Sequence, residues 1–362
     1  MVKKILKVIG IVIGVLVLAF VIFAASLTIF EFKPDDVEEV AVFGEVPYAI
    51  EPEGTHSIVT WNIGYGALGD NADFFLDGGT GVRTADKERV LKNLSGISEE
   101  INILSPDIVM LQEVDIKSGR SSHINESEYI IANTFGTNDS ENTFAYNYKA
   151  LVPYPIPPIG MVRAGITTVS RYRISSAERV QLPCPFGWPA RLGNLKRCLV
   201  INRMPISGSY KELVIINLHL EAYDSGEGKI AQTKMLKEYI KKEIDAGNYV
   251  IAGGDFNQIF SNVDSSAYPV YDGMWTPGII DYDDFTDGLD VGLYMDDSAP
   301  SCRSLDKAYA GADKDSFQYY IIDGFIVSDN ISVQNVTTQD LSFVSSDHNP
   351  VLMEFELMGA TD

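Results

Sequence analysis

Cysteine is scarce in this chain. There are three, Cys184, Cys198 and Cys302, among 362 residues. None is spaced C-x-x-C, which excludes a zinc knuckle and a disulfide-stapled miniprotein. Three free thiols, or one Cys184–Cys198 bridge and one thiol, both remain open at this point. Positive charge is short as well: 28 Lys and Arg face 50 Asp and Glu, a net charge of −22. Such a surface repels polyanions over a Debye length of about 8 Å at physiological salt, whereas non-specific nucleic-acid binding needs the opposite sign. Nucleic acid is therefore not an expected partner, unless a basic cleft lies inside the acidic shell. No internal repeat is found. What is present is apolar: 46% of residues are hydrophobic and 22% charged, which excludes a disordered chain. The length allows one large α/β domain or two smaller ones.

From Val8 to Phe30 there is no charged residue. As a helix this run is about 34 Å long, enough to cross about 30 Å of hydrocarbon. Lys3, Lys4 and Lys7 precede it, and Glu31, Asp35, Asp36, Glu38 and Glu39 follow. The positive-inside rule puts the N-terminus in the cytoplasm and the remainder outside. Residues 1–30 are expected to be a single-pass anchor in the cell membrane. A signal peptide cleaved near Ala24-Ala25-Ser26 is the competing reading. Residues 31–54, acidic and carrying Pro34, Pro47 and Pro52, read as a linker with room for one short strand.

Residues 55–358 read as one folded domain. Ile58–Trp61 is a strand. Thr84 reads as a helix N-cap with Asp86 in the first turn, and Val90, Leu91, Leu94, Ile97, Ile101 and Leu104 recur at helical spacing. Pro106 ends the helix, and a buried strand follows over Asp107–Val114. The pattern repeats with a strand at Glu212–Leu220 and a helix striped by Ile230, Met235, Leu236, Tyr239, Ile240 and Ile244. Gly247 is its expected C-cap, and the next strand is Tyr249–Ala252. Further strand-like runs are Gly165–Ser170, Cys198–Arg203, Tyr320–Val327, Ser332–Thr337 and Val351–Leu357. Strands mixed with helices in this way predict a layered α/β sandwich. Residues 264–316, rich in Asp, Gly and Tyr, read as a long surface excursion.

Polar residues stand at the ends of these apolar strands: Asn62, Glu113, His219, Asp255, Asn257, Asp323, Asp347 and His348. Each alone has an ordinary reading, as a turn residue, a strand-end charge or a satisfied core histidine. Together they are two imidazoles, two amides and four carboxylates at the strand ends where α/β folds collect sites. Oxygen ligands without cysteine favour a hard cation, Mg2+ or Mn2+, and a cation with a carboxylate base and imidazoles suits hydrolysis at phosphorus.

These residues lie in six blocks: W-N-I-G, L-Q-E-V-D, N-L-H-L, G-G-D-F-N, I-I-D-G and S-D-H-N-P. Their order over residues 60–357 resembles the endonuclease/exonuclease/phosphatase superfamily. The resemblance implies a four-layer sandwich of two packed mixed β-sheets flanked by helices, here preceded by one transmembrane helix. It implies that Glu113 is the main metal ligand with Asn62 beside it, and that Asp347 helps to bind metal or position phosphate. Asp255 then orients or deprotonates the attacking water, Asn257 holds a phosphate oxygen, and His219 donates to the phosphate or leaving oxygen. Asp323 orients His348, whose imidazolium stabilises the transition state. The chain departs from the apurinic endonucleases at Gly64, where those place an acidic ligand.

Arg120 and Arg163 are the chosen substrate-anion contacts, with Arg171 and Arg197 as further candidates. The Pro-rich stretch Leu151–Ile159 is a wall of the cleft, a lipid contact or an ordinary packed loop. Ser225-Gly226-Glu227-Gly228-Lys229 lacks the outer residues of a phosphate loop and is rejected as one. The expectation is an extracellular, membrane-anchored, Mg2+-dependent phosphodiesterase or phosphatase acting on a lipid headgroup or other small phosphoester. A secreted-side nuclease and a non-catalytic binding protein are the alternatives.

Overall fold

The computed structural model describes residues 1–136, 139–224 and 226–359; Ser225 of the rejected phosphate-loop motif falls outside them. In chain order the elements are α1 (Val2–Ile29), β1 (Val37–Glu39), β2 (Val42–Phe43), β3 (His56–Asn62), α2 (Lys87–Leu104), β4 (Ile108–Asp115), α3 (Glu126–Asn133), β5 (Glu141–Val152), β6 (Gly160–Ser170), β7 (Ser176–Gln181), β8 (Cys198–Pro205), β9 (Glu212–His219), α4 (Glu227–Asp245), β10 (Tyr249–Asp255), α5 (Tyr282–Thr286), β11 (Val291–Tyr294), β12 (Asp323–Ser328), β13 (Ile331–Thr338) and β14 (Val351–Leu357). The fourteen strands form two seven-stranded sheets, ordered β1-β7-β8-β9-β10-β12-β11 and β13-β14-β3-β4-β6-β5-β2.

Alternation along the strands decides the layers. In β9, Leu213 and Ile215 point between the sheets, while Val214, Ile216 and Leu218 point outward onto Leu236 and Ile240 of α4. In β3 and β4, Ile58, Ile108 and Met110 point inward, while Val59, Trp61, Val109 and Leu111 pack on Val90, Leu94, Ile97 and Ile101 of α2. A strand buried on both faces reads as a continuous apolar run, as these do. The result is the four-layer sandwich with two mixed sheets. Each sheet has one parallel pair, β3–β4 and β9–β10, joined by α2 and α4 respectively. Both pairs send their C-terminal ends to the same edge of the sandwich, where the site lies.

Toward that edge the layer between the sheets turns polar. Gln112 donates to Asn217 Oδ1 at 2.9 Å and pairs with Thr60; Asn217 donates to the Thr167 carbonyl at 2.9 Å. Asn202 receives the Thr143 hydroxyl at 2.7 Å and donates to Thr168. All six side chains are buried. These bonds tie the sheets together across their faces, and buried polar groups satisfied in this way fix one arrangement.

Several expectations need correction. The α2 cap is Asp86, which accepts the Arg89 N–H at 2.9 Å; Thr84 donates to the Ala67 carbonyl. Ile230 is exposed, outside the buried stripe of α4. Gly247 follows that helix with φ +81°, as a terminating glycine should. Residues 31–54 are no free linker: β1 pairs with β7, β2 pairs with β5, and Val40, Val46 and Ile50 are buried. The stretch 264–316 is more than an excursion, because β11 closes one sheet edge and Leu289, Val291 and Leu293 enter the core. All three cysteines are free thiols, Cys198 and Cys302 buried and Cys184 partly so.

Helix α1 has 28 residues, about 42 Å, and is apolar and long enough to cross a membrane. Its end is seated on the domain. The Trp188 indole N–H donates to Thr28 Oγ1 at 3.2 Å. Glu31, its side chain 3% exposed, pairs with Lys196 at 3.1 Å and Arg191 at 3.3 Å.

Candidate active site

Register brings the site together. Asp255 ends β10 directly opposite His219 of β9 on one side and Asp323 of β12 on the other. From the second sheet, Asn62 ends β3, and a bulge in β4 after Leu111 puts Glu113 at φ +54°, turning it out of the ladder. His348 precedes β14, its carbonyl held by the Trp61 indole at 2.9 Å.

Asp255 Oδ2 is the focus. Asn62 Nδ2 donates to it at 3.1 Å, His219 Nε2 stands 3.3 Å away and His348 Nε2 3.9 Å away. Its other oxygen accepts the Asn257 backbone N–H at 2.9 Å. Asp323 Oδ2 binds His348 Nδ1 at 2.8 Å. The Ser301 hydroxyl accepts the backbone N–H groups of Ile322 and Asp323, fixing that carboxylate's strand. Ser346 Oγ donates to the Asn62 carbonyl at 2.8 Å and accepts the His348 N–H, tying the end of β3 to the segment that enters β14 in the same sheet.

Burial acts differently on each group. It pulls the His348 imidazolium down, but the Asp323 carboxylate more than offsets this, and the ring's pKa sits well above the usual histidine value. Burial drives His219 well below it, and the charges of Arg197 and His348 add to the effect, so this ring is neutral. Asp255 is pushed up to about 7 by burial and then by Asp323, against the pull of His348 and Asn62. Asp347 rises to about 6 through burial, with Glu113 adding to it and His348 opposing it. An imidazolium beside a neutral imidazole and a carboxyl poised near neutrality is an acid–base set.

All eight strand-end residues reach this edge of the sandwich; the arginines do not fare alike. Arg120 lies against Asp115, both oxygens at 3.0 Å, with its guanidinium 3.6 Å from the Tyr65 ring centre. It braces the wall rather than standing free for an anion. Arg197 is committed to Glu221 and the His219 carbonyl. Arg171 binds the Pro106 carbonyl at the far end of the sheet. Arg163 lies half-buried on β6, opposite Lys149 of β5.

Asn62 also differs from expectation. Its amide oxygen accepts the Gly64 N–H at 3.1 Å, and its nitrogen faces Asp255 and, at 3.4 Å, Glu113. It bridges two carboxylates as a donor. Asn257, at φ +51°, gives one amide hydrogen to the Leu220 carbonyl at 2.9 Å. Sequence reasoning missed Tyr65, Asp77, Tyr223, Ser301 and Ser346. Tyr65 is buried beside Arg120, and Tyr223 donates to Asp77 at 2.9 Å near Glu113. Two of them carried a local signal: Tyr65 adjoins the W-N-I-G block, and Ser346 opens the S-D-H-N-P block.

The donor set fits a divalent cation. Glu113 and Asp347 repel each other, and among the described residues neither forms an ion pair with a Lys or Arg. Oxygens of Asp255 and Asp323 with a His348 nitrogen also lie within 4.8 Å of one another. There, however, Asp323 Oδ2 is bound by His348 Nδ1, and an imidazolium offers no lone pair. Gly64, at φ +51°, lies against the acidic side: a Cβ there would stand 2.8 Å from Asp347 Oδ1 and 2.8 Å from Leu68 Cβ. Gly64→Ala is therefore expected to lower stability by about 1–3 kcal/mol through strain and overpacking, read as a lower urea midpoint. An unchanged midpoint would show that the loop yields without cost.

Behind Arg120, Glu126 is fully buried and accepts the Asp115 N–H at 2.7 Å. Burial, with Asp115 adding, raises its pKa well above the ordinary carboxyl value. A raised folded-state pKa gives stability that is present below the unfolded value and is lost as pH rises through the folded one. Glu126→Gln should remove that loss, so its thermal midpoint falls less than the parent's as pH is raised from about 4. Parallel curves for the two proteins would refute the neutral carboxyl.

Carboxylates, imidazoles and amides gathered at one edge of a two-sheet sandwich have the chemistry that hydrolysis at phosphorus requires. The sequence profile of the Endonuclease/Exonuclease/phosphatase family matches residues 59–348, and the chain belongs to that family. Solved structures of similar fold include an endonuclease/exonuclease/phosphatase from Beutenbergia cavernae DSM 12333, at 17% identity and TM-score 0.57, covering 85% of this chain and 73% of that one. The human Nocturnin catalytic domain with bound sulfate anion is 16% identical at TM-score 0.51, covering 88% and 98%. A family protein from Leptotrichia buccalis C-1013-b is 15% identical at TM-score 0.51, covering 83% and 100%. Among curated proteins, none matches the chain.

Proposed function

We propose that this chain is a membrane-anchored, Mg2+-dependent phosphodiesterase whose domain lies outside the cell and acts on a phospholipid headgroup or a similar small phosphoester. The observation that carries the reading is the convergence of Asn62, His219 and His348 on Asp255 Oδ2. Glu113 and Asp347 hold the cation, which supplies Lewis-acid stabilisation of the phosphoryl oxygens; Mn2+ has the same ligand preference. Asp255 takes the proton of the attacking water. His348, kept cationic by Asp323, and the neutral His219 donate to the oxygens where charge develops, and fixed donors of this kind supply much of the rate gain. Asn257 has a second amide hydrogen for a phosphate oxygen. A tether to the bilayer raises the effective concentration of headgroups at the site.

The test is hydrolysis by the full chain in detergent, with Mg2+ or chelator. Phospholipid micelles, bis-p-nitrophenyl phosphate, p-nitrophenyl phosphate and DNA are offered in parallel. Chelator-sensitive turnover of the lipid or the diester is expected. Preference for DNA with steep salt dependence would overturn the substrate class in favour of a nuclease. No turnover by a folded, metal-binding chain would favour a binding protein.

A further inference from the structure

Three large apolar side chains stand exposed on two loops next to the foot of α1, 153–159 between β5 and β6 and 182–197 between β7 and β8. Ile156 is 95% exposed, Trp188 is 59% exposed, and Tyr154 is exposed beside Ile156. The loops meet: Tyr148, at the foot of the first, donates to the Gly193 carbonyl of the second at 2.8 Å. The second is also the loop on which α1 is seated, through Trp188–Thr28 and the Glu31 ion pairs. Ile29 and Phe30, both exposed, end the helix at the same place. Lys33, Lys149 and Arg191 surround this patch in an otherwise acidic protein; Lys149 lies 6.0 Å from the Phe32 ring centre.

We infer that loops 153–159 and 182–197 form a collar that rests in the headgroup region of the bilayer crossed by α1. The inference rests on reading α1 as a membrane span. Thr28 lies in the last turn of that helix, so a side chain bonded to it sits at the depth where the helix leaves the hydrocarbon. Trp and Tyr favour that depth because their rings are apolar and their N–H and O–H groups remain hydrated. The lysines and arginine face anionic headgroups there, while the acidic remainder is repelled from them. The collar also borders the site. The Tyr148 ring centre is 6.0 Å from the Arg120 guanidinium, which stacks on Tyr65. The bilayer surface thus lies beside the wall of the catalytic cleft.

Tryptophan fluorescence of the full chain tests this, in vesicles of phosphatidylcholine and phosphatidylglycerol with brominated acyl chains. Trp61 is buried and Trp275 is half-buried on another loop. Quenching by the brominated lipid is expected, with loss of the quenched component in Trp188→Phe. A second probe, Ile156→Trp in the Trp188→Phe background, should restore it, and so exposed a position does not depend on the fold. If the chain resists alkaline carbonate extraction yet neither probe is quenched, the collar is overturned while the anchor stands. A chain that washes off the vesicles overturns the anchor and the collar with it. Neither outcome bears on hydrolysis, which the detergent assay reads separately.

Discussion

His348→Ala is expected to lower kcat by about 10³-fold, roughly 4 kcal/mol of transition-state stabilisation, and to lower the thermal midpoint as well. The loss is large because, among the described residues, no other cationic side chain faces Asp255 Oδ2 in the same way: His219, the second ring, is neutral. Alanine keeps the bond from the Trp61 indole to the backbone carbonyl but leaves the buried Asp323 carboxylate without its partner, so activity is compared on the folded fraction. Asp323→Asn isolates the pairing. The carboxylate raises the imidazolium pKa, so without it the ring loses its proton at lower pH and the alkaline limb of the rate profile moves down. Steady-state turnover across pH measures both. A wild-type kcat in His348→Ala, or an unmoved alkaline limb in Asp323→Asn, would remove the imidazolium from the mechanism.

Glu113→Gln should weaken Mg2+ binding by more than about 100-fold, since outer partners of ligands alone cost 10–100-fold. Turnover at limiting metal should disappear, and high metal should restore part of it. A calorimetric scan separates binding from catalysis. At about 100 times its Kd, a cation stabilises the folded chain by about 2.7 kcal/mol. Wild type and Asp323→Asn should both show that metal-dependent rise, and Glu113→Gln should not. Without metal, Glu113→Gln should be no less stable than the parent, because one of two mutually repelling carboxylates is gone. If Asp323→Asn loses the rise instead, the cation belongs in the Asp255–Asp323–His348 group.

The two β-α-β units were legible because their residues are buried on both faces: Ile215 to Leu218 or Val109 to Leu111 can hardly be anything but core strand. The site was legible for the complementary reason, since Asn62, His219 and Asp323 each break an apolar run at its end. The short edge strands β1, β2 and β11 were not readable, because two to four residues carry no period and their pairing comes from partners far along the chain. The long β5 was hidden by its own chemistry: its inward side chains include Thr143, which serves the inter-sheet hydrogen bonds. Arg120 misled because a guanidinium's partner is not written in its neighbours; Asp115, five residues back, claims it.

The strand order has a consequence for when the site can assemble. Strand β14 inserts between β13 and β3, and His348 stands just before it, whereas Asn62 ends β3. The first residue of the site is thus completed by one that lies far along the chain. No amino-terminal fragment contains a competent site, and a sheet completed by so distant a partner forms late and slowly.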